Sequence, residues 1–304
     1  MPESSLFSPG QFLTDIEATA HAIGAGYCPS TTRRMLDVYE SGFHEGAVLW
    51  RTTSKPAGPL NYRFYARRPT DTVGIAARAG LLAPGDPMAQ LIGAWSGLYE
   101  GSTELCDFDA VDGLVKTWVF LGGMRPVPDV LAAPGVPASI RHHASAFDGL
   151  GLAWVRHVAV DYQRRSVNLY FRTAEGFTPA HAGRLLALAG AELPADSVLA
   201  DMEGFTAPTG CTFSVTMAAQ TGRIERVGVY ALRLPPGRYP SVGERLERFF
   251  TAAPSRDVEE MNAVAWSFGA RAQHYVKAER SYCGRLVELM REWASPMTDV
   301  GVRV

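Results

Sequence analysis

Little in this 304-residue chain invites a metal, a disulfide, a membrane or a nucleic acid. Four cysteines (Cys28, Cys106, Cys211, Cys283) are scattered with no C-x-x-C pair among them. That spacing speaks for buried thiols in a reducing compartment and against zinc or disulfides. No apolar run approaches the ~20 residues of a membrane span, and the N-terminus has no basic-then-apolar leader pattern. A soluble, cytoplasmic protein is expected. The net charge of −2 offers no basic stripe for a phosphate backbone. A small anion is still allowed, because charges of one sign can gather inside. The usual phosphate grips are missing as well. There is no G-x-x-x-x-G-K-[ST] loop, and Gly149-Leu150-Gly151 precedes a strand pattern instead of joining strand to helix. No Asp-Asp-x-x-Asp run is present, and Asp107, Asp109 and Asp112 are too irregular to hold magnesium. A G-x-S-x-G elbow and an H-E-x-x-H pair are also lacking.

What is present is a repeat. Helical spacing of Phe12, Ile16, Ala20 and Ile23 predicts a helix over 10–24, and a second fits 30–42 with Ser30 as N-cap. Strand patterns follow at 46–54 and 60–68 around a Pro56-Ala57-Gly58-Pro59 turn. The unit helix, helix, strand, strand then recurs. Helices at 71–82 and 86–100 precede strands at 104–108 and 114–121. Those at 127–133 and 137–149 precede 152–161 and 165–172. Those at 178–190 and 195–204 precede 211–219 and 223–234. A helix at 241–252 and a short polar one at 256–261 precede 262–268 and 273–280, and a last helix fills 281–294. Five such units read as one internal structural repeat and one domain over residues 1–304. Their hairpins would close into a ten-stranded antiparallel barrel with helices outside, an α+β fold.

The strand faces say what the barrel encloses. In 166–172, Val167, Leu169 and Phe171 share one face, and Ser166, Asn168, Tyr170 and Arg172 the other. The same split sets Arg63, Tyr65 and Arg67 against Tyr62, Phe64 and Ala66. It sets Lys116, Trp118 and Phe120 against Val115, Val119 and Leu121. Arg226 and Tyr230 oppose Val227, Val229 and Ala231, and Lys277 and Glu279 oppose Val276 and Ala278. A lone Arg or Lys in a strand is ordinarily a solvated residue, and single aromatics such as Trp118, Tyr170, Tyr230 and Trp266 are ordinarily core. Recurrence changes that weighting. Apolar strand faces must meet the amphipathic helices, which leaves the cationic and aromatic faces looking into a binding chamber. Converging cations suit a phosphate or diphosphate, and aromatic faces beside it can shield a carbocation. Together they suit an allylic diphosphate that ionises.

Five segments carry a family resemblance: 45–54 (EGAVLWRTTS), 116–120 (KTWVF), 161–172 (DYQRRSVNLYFR), 224–232 (IERVGVYAL) and 275–282 (YVKAERSY). Through them the chain resembles, over essentially its full length, the soluble aromatic prenyltransferases with the ααββ-repeat (ABBA) barrel. It is most similar to the branch of the 4-hydroxyphenylpyruvate dimethylallyltransferase of aminocoumarin antibiotic biosynthesis. The resemblance implies the ten-stranded barrel with its active site in the lumen. Its partners would be dimethylallyl diphosphate and a small aromatic acceptor, with the protein a monomer. It also implies that Arg51, Arg63, Lys116, Asn168, Arg226 and Lys277 grip the diphosphate. Tyr170 and Tyr230 would shield the prenyl cation, and Trp118 would flank the acceptor. Arg156 matches a position that meets an acceptor carboxylate, and Glu279 one that holds the phenol or takes up its proton. Glu279, Lys116 and Tyr170 are thus the expected catalytic groups. Magnesium-dependent relatives carry an aspartate where this chain has Arg63, so no metal or other cofactor is expected. Two positions depart from the family pattern. Ser214, placed with the acceptor-binding group, falls where some members have a diphosphate-binding tyrosine. His157 falls where an apolar residue is usual, and strand alternation places it opposite Arg156, facing the helices. Competing readings are another acceptor (naphthalene, phenazine, flavonoid or indole), geranyl diphosphate as donor, and a barrel that binds an aromatic ligand without catalysis.

Overall fold

Alternation along the strands gives each of them two unlike faces, and ring closure gives each face its own environment. The computed structural model describes residues 7–173, 177–206 and 210–295. Its strands form five hairpins: β1 (Ala47–Thr53) with β2 (Asn61–Tyr65), β3 (Thr103–Asp109) with β4 (Gly113–Pro126), β5 (Trp154–Asp161) with β6 (Ser166–Arg172), β7 (Thr212–Ala218) with β8 (Ile224–Ala231), and β9 (Asn262–Gly269) with β10 (Gln273–Cys283). Sequential strands pair antiparallel all the way round, and β1 pairs with β10 to shut the ring. Closure removes every exposed edge.

The helices lie outside, as the alternation requires. They are α1 (Pro9–Ala22), α2 (Pro29–Val38), α3 (Glu40–Glu45), α4 (Thr72–Arg78), α5 (Pro87–Ser96), α6 (Val127–Leu131), α7 (Ala138–Arg141), α8 (Ala144–Gly149), α9 (Pro179–Ala187), α10 (Asp196–Phe205) and α11 (Glu244–Ala252), with α12 (Leu286–Glu292) treated below. Their apolar stripes and the outward strand faces build one continuous core. Phe12 of α1 stacks on Trp50 of β1 with ring centres 4.8 Å apart. Burying each such side chain contributes about 1.5–3 kcal/mol, and the aromatic pairing adds roughly 0.5–1.5 kcal/mol. Asp71 and Asp86 cap α4 and α5 by accepting from Gly74 and Met88 backbone N–H groups.

A second, smaller cluster fills part of the inside. Leu49, Leu105, Trp118, Tyr170 and Tyr230 point inward and meet Leu286, Leu289 and Met290 of α12. Trp293, just past α12, stacks on Phe120 at 4.2 Å. This helix therefore closes one end of the barrel, while the hairpin turns surround the other.

Several local expectations are corrected. The helix expected over 30–42 breaks at Tyr39 into α2 and α3. Its N-cap is Cys28 rather than Ser30, because Pro29 already occupies the first turn, where its missing N–H costs nothing. Gly42 lies within α3, where a Cβ would press on the Phe64 ring, so the glycine allows close approach of helix to strand. The segment 137–149 forms two short helices, α7 and α8. The polar helix expected at 256–261 is an irregular loop. Its acids serve tertiary partners instead: the Asp257 carboxylate accepts from the Arg285 and Leu286 N–H groups, and Glu260 pairs with Arg280 at 2.7 Å. Residues 281–283 extend β10, so the last helix starts at Leu286. Arg67 lies beyond β2 and donates to the Gly284 carbonyl at 2.6 Å, so it does not line the lumen.

Gly284 makes the sharp turn from β10 into α12. Its φ of +89° is the left-handed region, and a Cβ there would collide with the Gly46 carbonyl oxygen. Gly284→Ala should lower the unfolding free energy by about 2 kcal/mol or more in urea titration.

Candidate active site

The lumen has a cationic end near the hairpin turns and an aromatic end beneath α12, with an ion-pair cluster between them. Each strand contributes alternate residues, so the site follows from register. At the cationic end, Lys116 of β4 lies across from Asp161 of β5. Its ammonium donates to Asn168 Oδ1 at 3.3 Å, and Asn168 donates onward to Thr216 at 3.0 Å. Burial foremost, with a push from Arg51, brings the Lys116 pKa down to about 7 despite Asp161 and Asp107. Arg226 and Lys277 have no acidic partner and no hydrogen-bond acceptor among the described residues, and the Arg226 Nε is buried and unpaired. Lys55, on the β1–β2 turn, sits 4.0 Å from the Tyr275 ring centre. Burial opposes ionisation of that phenol, but Lys277, Arg226 and Lys55 outweigh it and bring Tyr275 down to about 7.

The middle of the lumen is organised by Asp107 of β3, one of the three aspartates whose spacing is too irregular for magnesium. Arg63 donates to both of its oxygens, the Nη2 bond measuring 3.2 Å. Arg51 Nη1 lies 3.5 Å away, and the Trp118 indole N–H donates to Oδ2 at 3.1 Å. Burial disfavours the charged form, but Arg63 and then Arg51 prevail and hold the carboxyl well below the usual range. Arg63 also donates to the Tyr65 hydroxyl at 2.8 Å and to Glu279 at 3.5 Å. Those four bonds leave one of its five N–H groups uncommitted. Glu279 faces Arg51 in register, is 8% exposed and forms its ion pair with Arg63 at 3.5 Å.

The aromatic wall continues from there. Trp118 stacks on Tyr170 at 4.4 Å, Tyr170 meets Tyr230 edge-on at 6.0 Å, and the Arg63 guanidinium lies 4.2 Å from the Trp118 ring centre. Ser214 pairs in register with both Tyr170 and Gly228, close to Tyr230. A cavity opens here, bordered by Arg63, Trp118, His157, Tyr170, Tyr230 and Glu279. Arg156 is buried 4.9 Å from the Phe120 ring centre and donates to the Trp293 carbonyl. It has no acidic partner among the described residues, and its Nε is unpaired. Burial brings its pKa down to about 10.

His157 corrects the strand-alternation expectation. Register between β5 and β6 slips between Val155 and His157, a bulge that inserts Arg156 as an extra residue. His157 consequently faces the lumen, its ring 5.3 Å from Phe120 and 6.5 Å from Tyr170. Period two counted back from outward Val158 and Val160 gives His157 this face, whereas counting across the bulge from Arg156 gives the other. Asp107 was detectable in principle, since it falls in phase with inward Leu105. Asp109, by contrast, caps its own turn by accepting from Val111 and Asp112.

A closed ten-stranded barrel of ααββ units, with cations and an aromatic wall inside it, is the architecture of the aromatic prenyltransferases. Comparison with known proteins places the chain within that class. The sequence model of the family described as "Aromatic prenyltransferase Orf2" matches residues 7–294, and the chain belongs to that family. An aromatic prenyltransferase of Sclerotinia sclerotiorum is 51% identical over 97% of each chain. The 4-hydroxyphenylpyruvate 3-dimethylallyltransferase of Streptomyces niveus is 42% identical over 96% of this chain and 90% of its own. Among solved structures, 5-dimethylallyltryptophan synthase from Streptomyces coelicolor superposes with a TM-score of 0.57 at 12% identity, covering 91% of this chain and 97% of its own, a likeness of fold. No helix among the described residues is long and apolar enough to cross a membrane.

The half-buried position of His157, beside two arginines, has a measurable consequence. Burial, then the positive charges of Arg156 and Arg63, pushes its pKa well below the ordinary 6.5. The unfolded chain then binds a proton that the folded one refuses, so this residue costs stability as pH falls below about 6.5. His157→Phe should flatten the loss of Tm between pH 6.5 and 5. In the unaltered protein, the imidazole should show no NMR titration from pH 8 to 5.5.

Proposed function

We propose that this protein transfers a dimethylallyl group from dimethylallyl diphosphate to a phenol bearing a carboxylate, such as 4-hydroxyphenylpyruvate, without a metal ion. The observation that carries the reading is the separation within one lumen. Arg226 and Lys277, without an acidic partner among the described residues, lie at the hairpin end, and Arg156, buried and likewise without one, lies at the α12 end, with Trp118, Tyr170 and Tyr230 between them. The 42% identity to an enzyme named for that acceptor supports it.

In this reading the allylic C–O bond breaks and the diphosphate leaves with the electron pair. Lys116, Asn168, Arg226, Lys277 and Arg51 hold it, with the charge of Arg63 behind them. The aromatic faces of Tyr170 and Tyr230 stabilise the allylic cation through their quadrupoles. The phenol ring, flanked by Trp118 with Ser214 at its border, forms the new C–C bond, and Glu279 takes up the proton lost as the ring rearomatises. Arg156 would meet the acceptor carboxylate with charge-assisted hydrogen bonds. Arg63, on the strand where magnesium-dependent relatives carry an acid, supplies positive charge that a metal would otherwise bring. His157 favours a second reading, an acceptor with a further polar substituent, because an imidazole borders a cavity that apolar groups alone could line.

The decisive assay is product formation from dimethylallyl diphosphate with a panel of aromatic acceptors, with EDTA and with magnesium. Equal turnover of a phenolic acid in both is expected. Turnover only with magnesium would overturn the metal-free mechanism, and turnover only of acceptors lacking a carboxylate would overturn the acceptor. Arg156→Ala should raise the acceptor KM roughly 10- to 100-fold while leaving the donor KM near its original value.

The cationic end should also respond to pH. The free-protein ammonium of Lys116 and the neutral phenol of Tyr275 both titrate near 7. As pH rises through that value the site loses one positive charge and gains a negative one. Affinity for inorganic diphosphate, followed by calorimetry from pH 6 to 8.5, should therefore fall relative to that of Lys116→Arg, whose guanidinium stays charged.

A further inference from the structure

Asp107 has no task in the transfer just described, yet it is 1% exposed at the centre of the lumen. In register it lies between two residues of the proposed donor grip, Arg63 on β2 and Lys116 on β4. Its oxygens also lie within 3.5 Å of Arg51 and hold the Trp118 indole. A buried carboxylate needs one good partner to be tolerable; this one has two guanidiniums and an indole.

We propose that Asp107 is a built-in counter-anion of the donor site, which limits how tightly the lumen cations hold diphosphate and, through Trp118, fixes the aromatic wall in the same place. The inference rests on the diphosphate reading above and deepens it. Asp107 is a positioning residue, since it acts through Arg51, Arg63 and Trp118 rather than by touching the reacting atoms. The physical reason lies in turnover. Diphosphate is a product that must leave after each cycle, and affinity expressed equally in ground and transition states does not raise kcat. Five lumen cations (Arg51, Arg63, Lys116, Arg226, Lys277), offset only by Glu279 beside Arg63 and Asp161 across from Lys116, would retain it. Asp107 already satisfies the two arginines while the site is empty, so an arriving diphosphate gains only part of their charge. The same carboxylate orients the indole face, so the charge balance and the shape of the wall are set by one group.

The test is calorimetric titration of the whole enzyme with inorganic diphosphate, alongside steady-state kinetics. Asp107→Asn keeps the shape and removes the charge. A unit charge a few ångströms away is worth about tenfold or more in affinity, so diphosphate should bind at least about tenfold tighter while kcat falls. A merely structural role would loosen binding instead. Asp107→Glu, which keeps the charge, should return diphosphate affinity to within a few-fold of the unaltered enzyme. Unchanged or weaker binding by folded Asp107→Asn would overturn the proposal. If Asp107→Asn does not fold, the double variant Asp107→Asn with Arg63→Gln removes the uncompensated buried charge and serves in its place. Its diphosphate affinity should stay within several-fold of the unaltered enzyme. Complete loss would mean that Arg63 was free to grip the anion, and would overturn the proposal. Failure of the unaltered enzyme to bind diphosphate at all would sink the donor-site reading itself, a result visible without any variant.

Discussion

The buried pairing of Arg63 with Asp107 is the constraint around which the lumen is arranged. Both side chains come from the middle of neighbouring strands, where water cannot compensate either charge. Desolvation at that depth costs several kcal/mol per ion, so each must be satisfied within the wall. The solution recruits Tyr65, Glu279, Arg51 and Trp118, one partner from each of several strands. An arrangement this interdependent fixes side-chain directions that aliphatic packing would leave loose. The stacked Trp118 and Tyr170 owe their placement partly to it, and so does the division of the lumen into a charged and an aromatic half.

Ring closure makes such an interior affordable. The large aromatic and aliphatic core lies between barrel and helices, where Trp50, Tyr62, Phe64 and Phe108 meet Phe12 and Phe43. Stability is therefore supplied outside the strands, and the inside is released for chemistry. The inner apolar cluster is small and depends on α12, which reaches the inward faces of Leu49 and Tyr65. One helix thus takes a role that the others do not share.

Much of this was legible in the residues. Period-two alternation in 166–172 and its four counterparts gave the barrel, and the five repeats gave the strand order. The cations Arg51, Lys116, Arg226 and Lys277 and the aromatics Trp118, Tyr170 and Tyr230 do face one lumen. What escaped the pattern has physical causes. A bulge puts Arg156 out of phase with the rest of β5, so counting from Arg156 set His157 on the wrong face. Asp107 was weighed as one of three aspartates that might bind magnesium, but spacing along a strand does not reveal which carboxylate has cations across from it. The loop over 256–261 looked helical because its acids are good first-turn residues. In the fold they are claimed by Arg280, Arg291 and the N-terminus of α12.

The bulge in β5 has a consequence of a different kind. Because the pairing of β5 with β6 is regular from His157 to Asp161, the extra residue is absorbed at the α12 end, and the half of the strand that faces Asn168 stays in phase. On the other side β4 breaks register over the same stretch, between Phe120 and Arg125, so both neighbours of β5 yield at this one level. The barrel wall is thus regular where Lys116 and Asn168 meet and irregular where Arg156 and His157 enter, and its two ends differ in how firmly the backbone dictates side-chain direction.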